Sequence, residues 1–148
     1  MKDQDQKLVA QKLANLDEYL NELEPYLAIS AKQFQSDRTR QRAVERLVQI
    51  VVECTIDTNN IIIRAANLAI AATARESFQR LRDQHILDDL ITERFVKKYV
   101  ELRNVIVHLY EKVEPKTLYS SAQRLMKDAE AYARQIHRYL ASFVHAKD

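Results

Sequence analysis

The amino-acid sequence predicts an all-α fold, an up-and-down bundle of about five helices in one domain spanning residues 1–148. Three observations lead to this prediction. The 148-residue chain has no glycine and only two prolines, so its backbone rarely needs the left-handed conformations that tight turns demand. Its apolar residues recur at steps of three and four, which is the spacing of one helix face. Its length suits one domain, and 47% of its residues are hydrophobic, enough for a substantial core.

A polar segment separates the first two predicted helices. The first helix carries one apolar stripe at alternating steps of four and three: Val9, Leu13, Leu16, Leu20, Leu23 and Leu27. The polar residues from Ser30 to Asp37 are predicted to form a connection. Asp37 can cap the amide groups of a long second helix, which is expected to run from about Thr39 to about Asn67.

Three further helices are predicted from their first residues. Thr73 and Glu76 have capping-box spacing, which predicts a short third helix that ends near Gln84. Asp88 is expected to start a fourth helix that ends before Pro115, since proline suits the first position of the next helix. The fifth helix is predicted from an unbroken stripe: Leu118, Ala122, Leu125, Ala129, Tyr132, Ile136, Tyr139 and Phe143.

The fourth helix shows two apolar faces. One is predicted to pack into the core of the domain: Phe95, Tyr99, Leu102, Ile106, Leu109 and Val113. The other has the seam spacing by which one helix packs on another: Val96, Val100, Arg103, Val107 and Tyr110. An arginine is poorly suited to a core, because burying an unpaired guanidinium is costly. The second face therefore predicts a homodimer seam of Val96, Val100 and Val107 that opens into an anion-binding cleft at Arg103.

A polar stripe on the second helix allows two interpretations. It consists of Arg46, Gln49, Glu53, Asp57, Asn60 and Arg64. It is either a solvated outer face or a surface beside the fourth helix. In the second case Glu53 or Asp57 could orient His108 or pair with Arg103.

The string RNVIVHLY at residues 103–110 resembles the R-x4-H-x-Y signature of the HEPN superfamily, specifically its HepT-like toxin ribonucleases. The resemblance covers nearly the whole chain. Gln49, Glu53 and Asp57 on the second helix, and the start of the last helix at Glu114, also look like that family. The resemblance implies a helical homodimer in which both motifs line one cleft and cut cellular RNA, either tRNA or mRNA, without a metal ion.

The residue types suit this chemistry. RNA carries its own nucleophile, the 2′-hydroxyl, so cleavage needs a proton acceptor, a proton donor and a cation near the phosphate. His108 can exchange protons at neutral pH, because the unperturbed pKa of histidine is about 6.5. Arg103 can grip phosphate oxygens with its planar fork of donors, and Asn104 can support the phosphate or the imidazole with a hydrogen bond.

The resemblance also implies a protein partner and a modification. HepT-like toxins are usually encoded beside a minimal nucleotidyltransferase (MNT) antitoxin, which transfers AMP to the tyrosine of the motif, here Tyr110. The alternative is a non-catalytic helical subunit that assists a nucleotidyltransferase, since the same valine seam would serve a purely structural dimer. Intact Arg103, Asn104 and His108 favour the enzyme.

Several other functional classes are not favoured. No cofactor or metal ion is expected, because His85, His137 and His145 lack ligand spacing with one another or with His108. Cys54 lies among apolar residues and is interpreted as a buried structural thiol. No membrane span or secretory signal is visible in the sequence, so the protein is expected in the cytoplasm. The net charge is only +2, so RNA affinity would depend on local clusters of basic residues.

Overall fold

The computed structural model describes residues 1–108 and 113–146, and these residues form helices without any strand. The helices are α1 (Asp3–Leu27), α2 (Ala31–Gln35), α3 (Arg38–Ala65), α4 (Ala74–Asp83), α5 (Asp89–Arg94), α6 (Val100–Val107) and α7 (Pro115–Ala146). A π-helical turn, Phe95–Tyr99, joins α5 to α6, so residues 89–107 form one continuous helix. The all-α prediction is confirmed. None of the described helices is both long and apolar enough to cross a lipid bilayer.

The predicted helix starts are confirmed by their caps. The side chains of Asp37, Thr73 and Asp88 each accept a hydrogen bond from the amide three residues later, at 3.0, 3.1 and 2.9 Å. Each bond satisfies one of the amides that a helix leaves without an internal partner. The last helix begins at Pro115, as predicted.

The segment predicted as a connection contains the short helix α2. Ser30 Oγ accepts a hydrogen bond from the amide of Gln33, and Gln33 Oε1 accepts one from the amide of Ser30, both at 3.1 Å. This reciprocal pair is a capping box, and it starts a single helical turn that buries Phe34 completely. The Ser-x-x-Gln spacing is the sequence signal for this helix.

The long helices α1 and α3 pack antiparallel. Along α1 and α3, Cys54 Sγ donates to the carbonyl of Lys12 at 3.4 Å, and Arg40 Nη1 donates to the carbonyl of Pro25 at 3.2 Å. The later residue of α3 contacts the earlier residue of α1, so α3 runs opposite to α1. Cys54 is buried and burial raises the pKa of its thiol, which supports its interpretation as a structural residue.

An aromatic cluster joins α4, the π turn and α7 at the centre of the core. Phe78 stacks on Phe95 with ring centroids 4.9 Å apart, and Phe95 lies 4.9 Å from Tyr99 and 5.7 Å from Tyr132. The Tyr132 hydroxyl lies 2.5 Å from Asn59 Oδ1 and 3.0 Å from the carbonyl oxygen of Thr55, both on α3. The ring contacts join the helix of residues 89–107 to α4 and α7.

Among the residues that the structure describes, two take the left-handed conformation, in a chain without glycine. Asn67 has φ 55° and His85 has φ 59°, and they directly follow the last turns of α3 and α4. In both cases the amide of the next residue bonds back to the carbonyl five residues before it, at 3.0 and 2.9 Å. This is the helix-ending arrangement in which glycine is usually found.

The structure corrects the predicted seam at Val100. This side chain is only 2% exposed within the single chain, so it belongs to the core and cannot lie in a surface seam. Val96 is half-buried against the same core, and Val107 is 42% exposed. Of the three seam valines, Val107 is the one that a second copy could contact fully.

Candidate active site

The candidate catalytic residues lie at the end of α6. Arg103 and Asn104 are half-buried within the last turns of the helix, and His108 is the exposed residue at which the helix ends. The backbone of His108 is extended, with ψ 97°, and its amide donates to the carbonyl of Asn104 at 3.1 Å. Arg103, Asn104 and His108 therefore lie together at one helix end. Leu109 and Tyr110, predicted for the core face and the modification site, lie outside the described residues.

Arg103 has an unusual environment. Its Nε atom is buried and has no hydrogen-bond partner among the described residues. In residues 1–108 and 113–146, no ion pair includes its guanidinium. A buried donor without a partner costs free energy and is uncommon in folded proteins, which marks Arg103 as a candidate functional residue. Since a guanidinium donates to phosphate in a fixed fork, Arg103 is suited to bind an anion.

The two carboxylates on α3 point to different neighbours. Asp57 Oδ2 lies 3.6 Å from Lys12 Nζ on α1, and its side chain is 59% exposed. Glu53 Oε1 accepts a hydrogen bond from Gln49 Nε2 at 3.0 Å. Within the described part of the chain, neither carboxylate bonds to Arg103. The structure favours the solvated interpretation for Asp57, and a supporting role for Glu53 stays a prediction.

The remaining charged clusters show no metal site among the described residues. No three His, Cys, Asp or Glu side chains there are grouped so that they could hold a metal ion. In the basic run at the start of α3, Arg40 binds Asp37 at 3.2 Å and Arg42 binds Glu45 at 3.5 Å. Both arginines are thus engaged within the fold.

Sequence reasoning missed a buried polar network between α7 and the helix that carries the site. The Tyr99 hydroxyl donates to Asp128 Oδ2, and Arg94 Nη1 donates to Asp128 Oδ1 at 2.7 Å. Asp128 is only 3% exposed. Burial and the hydrogen bond to Asp128 hold the pKa of Tyr99 far above its usual range, and the same carboxylate raises the pKa of Arg94. One sequence signal indicates that Asp128 is buried: it falls three residues after Leu125, on the apolar face of α7.

A second missed residue is Arg75 on α4. Its Nη2 lies 2.8 Å from Glu101 Oε2, and its Nε donates to the carbonyl of Val96 at 3.2 Å. Both partners belong to the helix that carries the candidate site. No sequence pattern indicates this contact, because Arg75 is an exposed arginine more than twenty residues before its partners.

Comparisons with known proteins identify the family. The model of the family described as "Ribonuclease HepT-like" matches residues 16–136. The chain is 26% identical over 141 residues to tRNA nuclease HepT of Aphanizomenon flos-aquae (strain 2012/KM1/D3), which covers 95% of each protein. It is 31% identical over 100 residues to mRNA nuclease HepT of Shewanella oneidensis, which covers 68% of this chain and 74% of that protein.

Solved structures show the same fold. The chain matches the tri-AMPylated Shewanella oneidensis HEPN toxin in its complex with MNT antitoxin, with a TM-score of 0.81 and 26% identity. The match covers 93% of this chain and 99% of that toxin. The family match includes the whole R-x4-H-x-Y string at residues 103–110 and most of the chain on either side. The protein therefore belongs to the HepT-like ribonuclease family.

Proposed function

We propose that this protein is the toxin of a HEPN/MNT toxin–antitoxin pair and cuts tRNA or mRNA without a metal ion, in a cleft between two copies. The observation that carries the proposal is Arg103, five residues before the exposed His108, whose buried Nε has no hydrogen-bond partner in the described part of the chain. A phosphate is the ligand that this guanidinium suits best. The nuclease names of the two relatives support the choice of an RNA phosphodiester.

The proposed reaction uses the hydroxyl group of the substrate. The 2′-oxygen attacks phosphorus, the bond from phosphorus to the 5′-oxygen breaks, and the products are a 2′,3′-cyclic phosphate and a 5′-hydroxyl. One histidine takes the proton of the 2′-hydroxyl and another gives a proton to the leaving oxygen. Two copies of His108, one from each subunit, provide the base and the acid. Arg103 stabilises the charge that develops on the phosphate, and Asn104 holds it by a neutral hydrogen bond.

The site is proposed to be completed by a second copy of the chain. Val107, 42% exposed, follows Arg103 by one turn of the same helix, where a partner helix would cover both. The half-buried Leu102 and Ile106 extend the apolar surface around it. Burying this surface would exclude water and strengthen the interactions of Arg103 with phosphate.

The activity is proposed to be controlled by AMP transfer to Tyr110 from a partner minimal nucleotidyltransferase. The toxin of Shewanella oneidensis, similar in fold, is tri-AMPylated in its complex with MNT antitoxin. Tyr110 follows His108 by two residues, so an added AMP phosphate would compete with RNA for Arg103.

Tyr110→Phe should keep cleavage but escape neutralisation by the partner enzyme and ATP. Intact-mass analysis tests this, and an AMP adduct that persists in Tyr110→Phe would remove this tyrosine from the mechanism.

The catalytic proposal is tested with matched variants on tRNA and mRNA in the presence of EDTA. Replacing the catalytic histidine, His108→Ala, should lower kcat by about 10²–10⁴-fold, and Arg103→Ala should also abolish cleavage. The controls are His137→Ala and Arg42→Ala, which remove an exposed histidine and an exposed arginine elsewhere. Cleavage that EDTA stops and magnesium restores would contradict the metal-free mechanism. A wild-type protein that binds its partner but cuts no RNA would indicate the non-catalytic alternative.

A further inference from the structure

The π turn changes the hydrogen-bond register of the helix that carries the candidate site. The amide of Val100 donates to the carbonyl of Phe95, five residues earlier, rather than to Val96 as in an α-helix. The turn thus accommodates one more residue than regular α-helical winding would. Each residue of an α-helix advances by about 100° around the axis. The π turn therefore rotates α6 by about 100° around the axis, relative to its position in an uninterrupted α-helix.

This rotation brings Arg103 to the edge of the core face, where its Nε is buried while the residue as a whole stays half-buried. In an uninterrupted α-helix, Arg103 would lie about 80° around the axis from Phe95, and Val100 about 140°. With one residue absorbed by the π turn, these angles become about 20° and 40°. The burial agrees with the rotated arrangement, because Phe95, Tyr99 and Val100 are 0, 1 and 2% exposed and Arg103 Nε is also buried. Val100 and Arg103 therefore continue the core face that begins at Phe95 and Tyr99.

Arg75 satisfies the carbonyl group that the π turn leaves without a partner. Because the amide of Val100 bonds to Phe95, the carbonyl of Val96 loses its α-helical donor. Arg75 Nε donates to this carbonyl at 3.2 Å, and Arg75 Nη2 pairs with Glu101 at 2.8 Å. Backbone carbonyls strongly favour having a donor. The contact therefore stabilises the π register over the α register.

Asp128 holds the same turn from the side of α7. Its two carboxylate oxygens accept from Arg94, the residue before the turn, and from Tyr99, its last residue. One buried carboxylate thereby bridges the two ends of the π turn. Regular α-helical winding would rotate Tyr99 away from Arg94 and break one of the two bonds.

We propose that the π turn sets the rotation of α6 in the ribonuclease site, and that Arg75 and Asp128 are positioning residues that maintain it. The inference rests on the proposed function, because it assigns the rotation a role in presenting Arg103, Asn104 and His108 to RNA. Neither Arg75 nor Asp128 belongs to the R-x4-H-x-Y string.

The kinetic test compares Arg75→Ala with Glu101→Gln. Both variants remove the ion pair, but only Arg75→Ala removes the donor to the Val96 carbonyl. A misplacement of catalytic groups by about 1 Å can cost about 100-fold in rate, so kcat of Arg75→Ala should fall by about that factor. Loss of an exposed ion pair is a small effect, so Glu101→Gln should change kcat by less than about fivefold. Arg75 is exposed, with 45% of its side chain accessible, so the variant should fold.

A second pair tests the contact from α7. Asp128→Asn keeps the shape of the side chain but replaces one acceptor oxygen with an amide nitrogen, so it cannot accept from both Tyr99 and Arg94. The control Glu130→Gln changes an exposed acid on the same helix. We expect Asp128→Asn to lose activity through kcat and Glu130→Gln to keep it. Equal kcat values in Arg75→Ala and Glu101→Gln, or in Asp128→Asn and Glu130→Gln, would overturn the inference.

A structural measurement separates this inference from the proposed function. NMR scalar couplings across hydrogen bonds should connect the Val100 amide nitrogen with the Phe95 carbonyl carbon in the wild-type protein. In Arg75→Ala the coupling should weaken or transfer to the Val96 carbonyl. If the wild type cuts no RNA, the proposed function fails, and this coupling alone decides whether Arg75 maintains the π turn. A coupling to Phe95 that is unchanged in Arg75→Ala would then refute the role of Arg75.

Discussion

Replacing Arg103 with methionine should stabilise the protein while it abolishes RNA cleavage. Arginine at this position buries an Nε donor that makes no hydrogen bond to residues 1–108 or 113–146. Methionine keeps an unbranched apolar side chain against the core and removes that donor. Most substitutions in a folded protein destabilise it, so a gain in stability at Arg103 would be a specific consequence of its unpaired donor.

The magnitude follows from the burial of that atom. A buried donor without a partner costs about 1–3 kcal/mol. In a domain of this size each kcal/mol shifts the thermal midpoint by about 2–4 °C. Methionine loses some of the packing of the guanidinium, so the expected rise of the midpoint in Arg103→Met is about 2–6 °C. The trade of stability for a binding-competent side chain is common at functional sites.

The assay is thermal unfolding followed by circular dichroism, together with RNA cleavage. The matched control is Arg94→Met, the same substitution earlier in the same continuous helix. Arg94 Nη1 binds Asp128 Oδ1 at 2.7 Å, and the Asp128 side chain is 5% exposed. Removing Arg94 leaves a buried carboxylate without its cation, so this variant should unfold at a lower temperature than the wild type.

One result would refute the reasoning about Arg103. If Arg103→Met unfolds at a lower temperature than the wild type, its guanidinium must be satisfied in the folded protein by contacts outside the described residues. A lower midpoint that depends on protein concentration would assign those contacts to a second copy of the chain.

Three further predictions concern backbone conformation, alkaline stability and assembly. His85→Gly should raise the stability by about 1 kcal/mol, because His85 is left-handed at φ 59°; a lower urea midpoint would contradict this. Burial raises the pKa of Tyr132 and Tyr99 in the folded state above the unfolded value of about 10. Their contribution to stability is therefore complete below pH 10 and is lost as the pH rises further, by up to about 1.4 kcal/mol per pH unit for each tyrosine. In urea unfolding, the free energy of unfolding should fall between pH 9 and 11, and it should fall less in Tyr132→Phe than in the wild type. An equal fall in both proteins would contradict this prediction. Val107→Glu should give a monomer by light scattering while Leu8→Glu, on an exposed position of α1, stays dimeric; a monomeric wild type would refute the dimer.

Local signals in the sequence were sufficient for most of the fold. Asp37, Thr73 and Asp88 cap the helices that they were predicted to start, because a capping side chain acts on an amide only three residues away. The apolar stripes of the first and last helices also lie in the core, from Val9 to Leu27 and from Leu118 to Ile136. These features depend on residues close together in the chain.

The rotation of α6 could not be predicted in the same way. Helical periodicity assigned Val100 to a surface seam, but the π turn places it in the core. The turn depends on Arg75 and Asp128, which contact it from α4 and α7. Such contacts connect distant parts of the sequence and leave no periodic signal. The residue types of the candidate site were therefore predictable, but the direction in which Arg103 points was not.

The most direct test of the account is the chemistry of the ends of the cleaved RNA. Purified protein is incubated with tRNA or mRNA in EDTA, and the fragments are analysed by mass spectrometry beside those from His108→Ala. Attack by the 2′-hydroxyl predicts a 2′,3′-cyclic phosphate on one fragment and a 5′-hydroxyl on the other, both missing with His108→Ala. A 3′-hydroxyl and a 5′-phosphate would show that water, and not the 2′-oxygen, attacks phosphorus, and would contradict the roles assigned to His108 and Arg103.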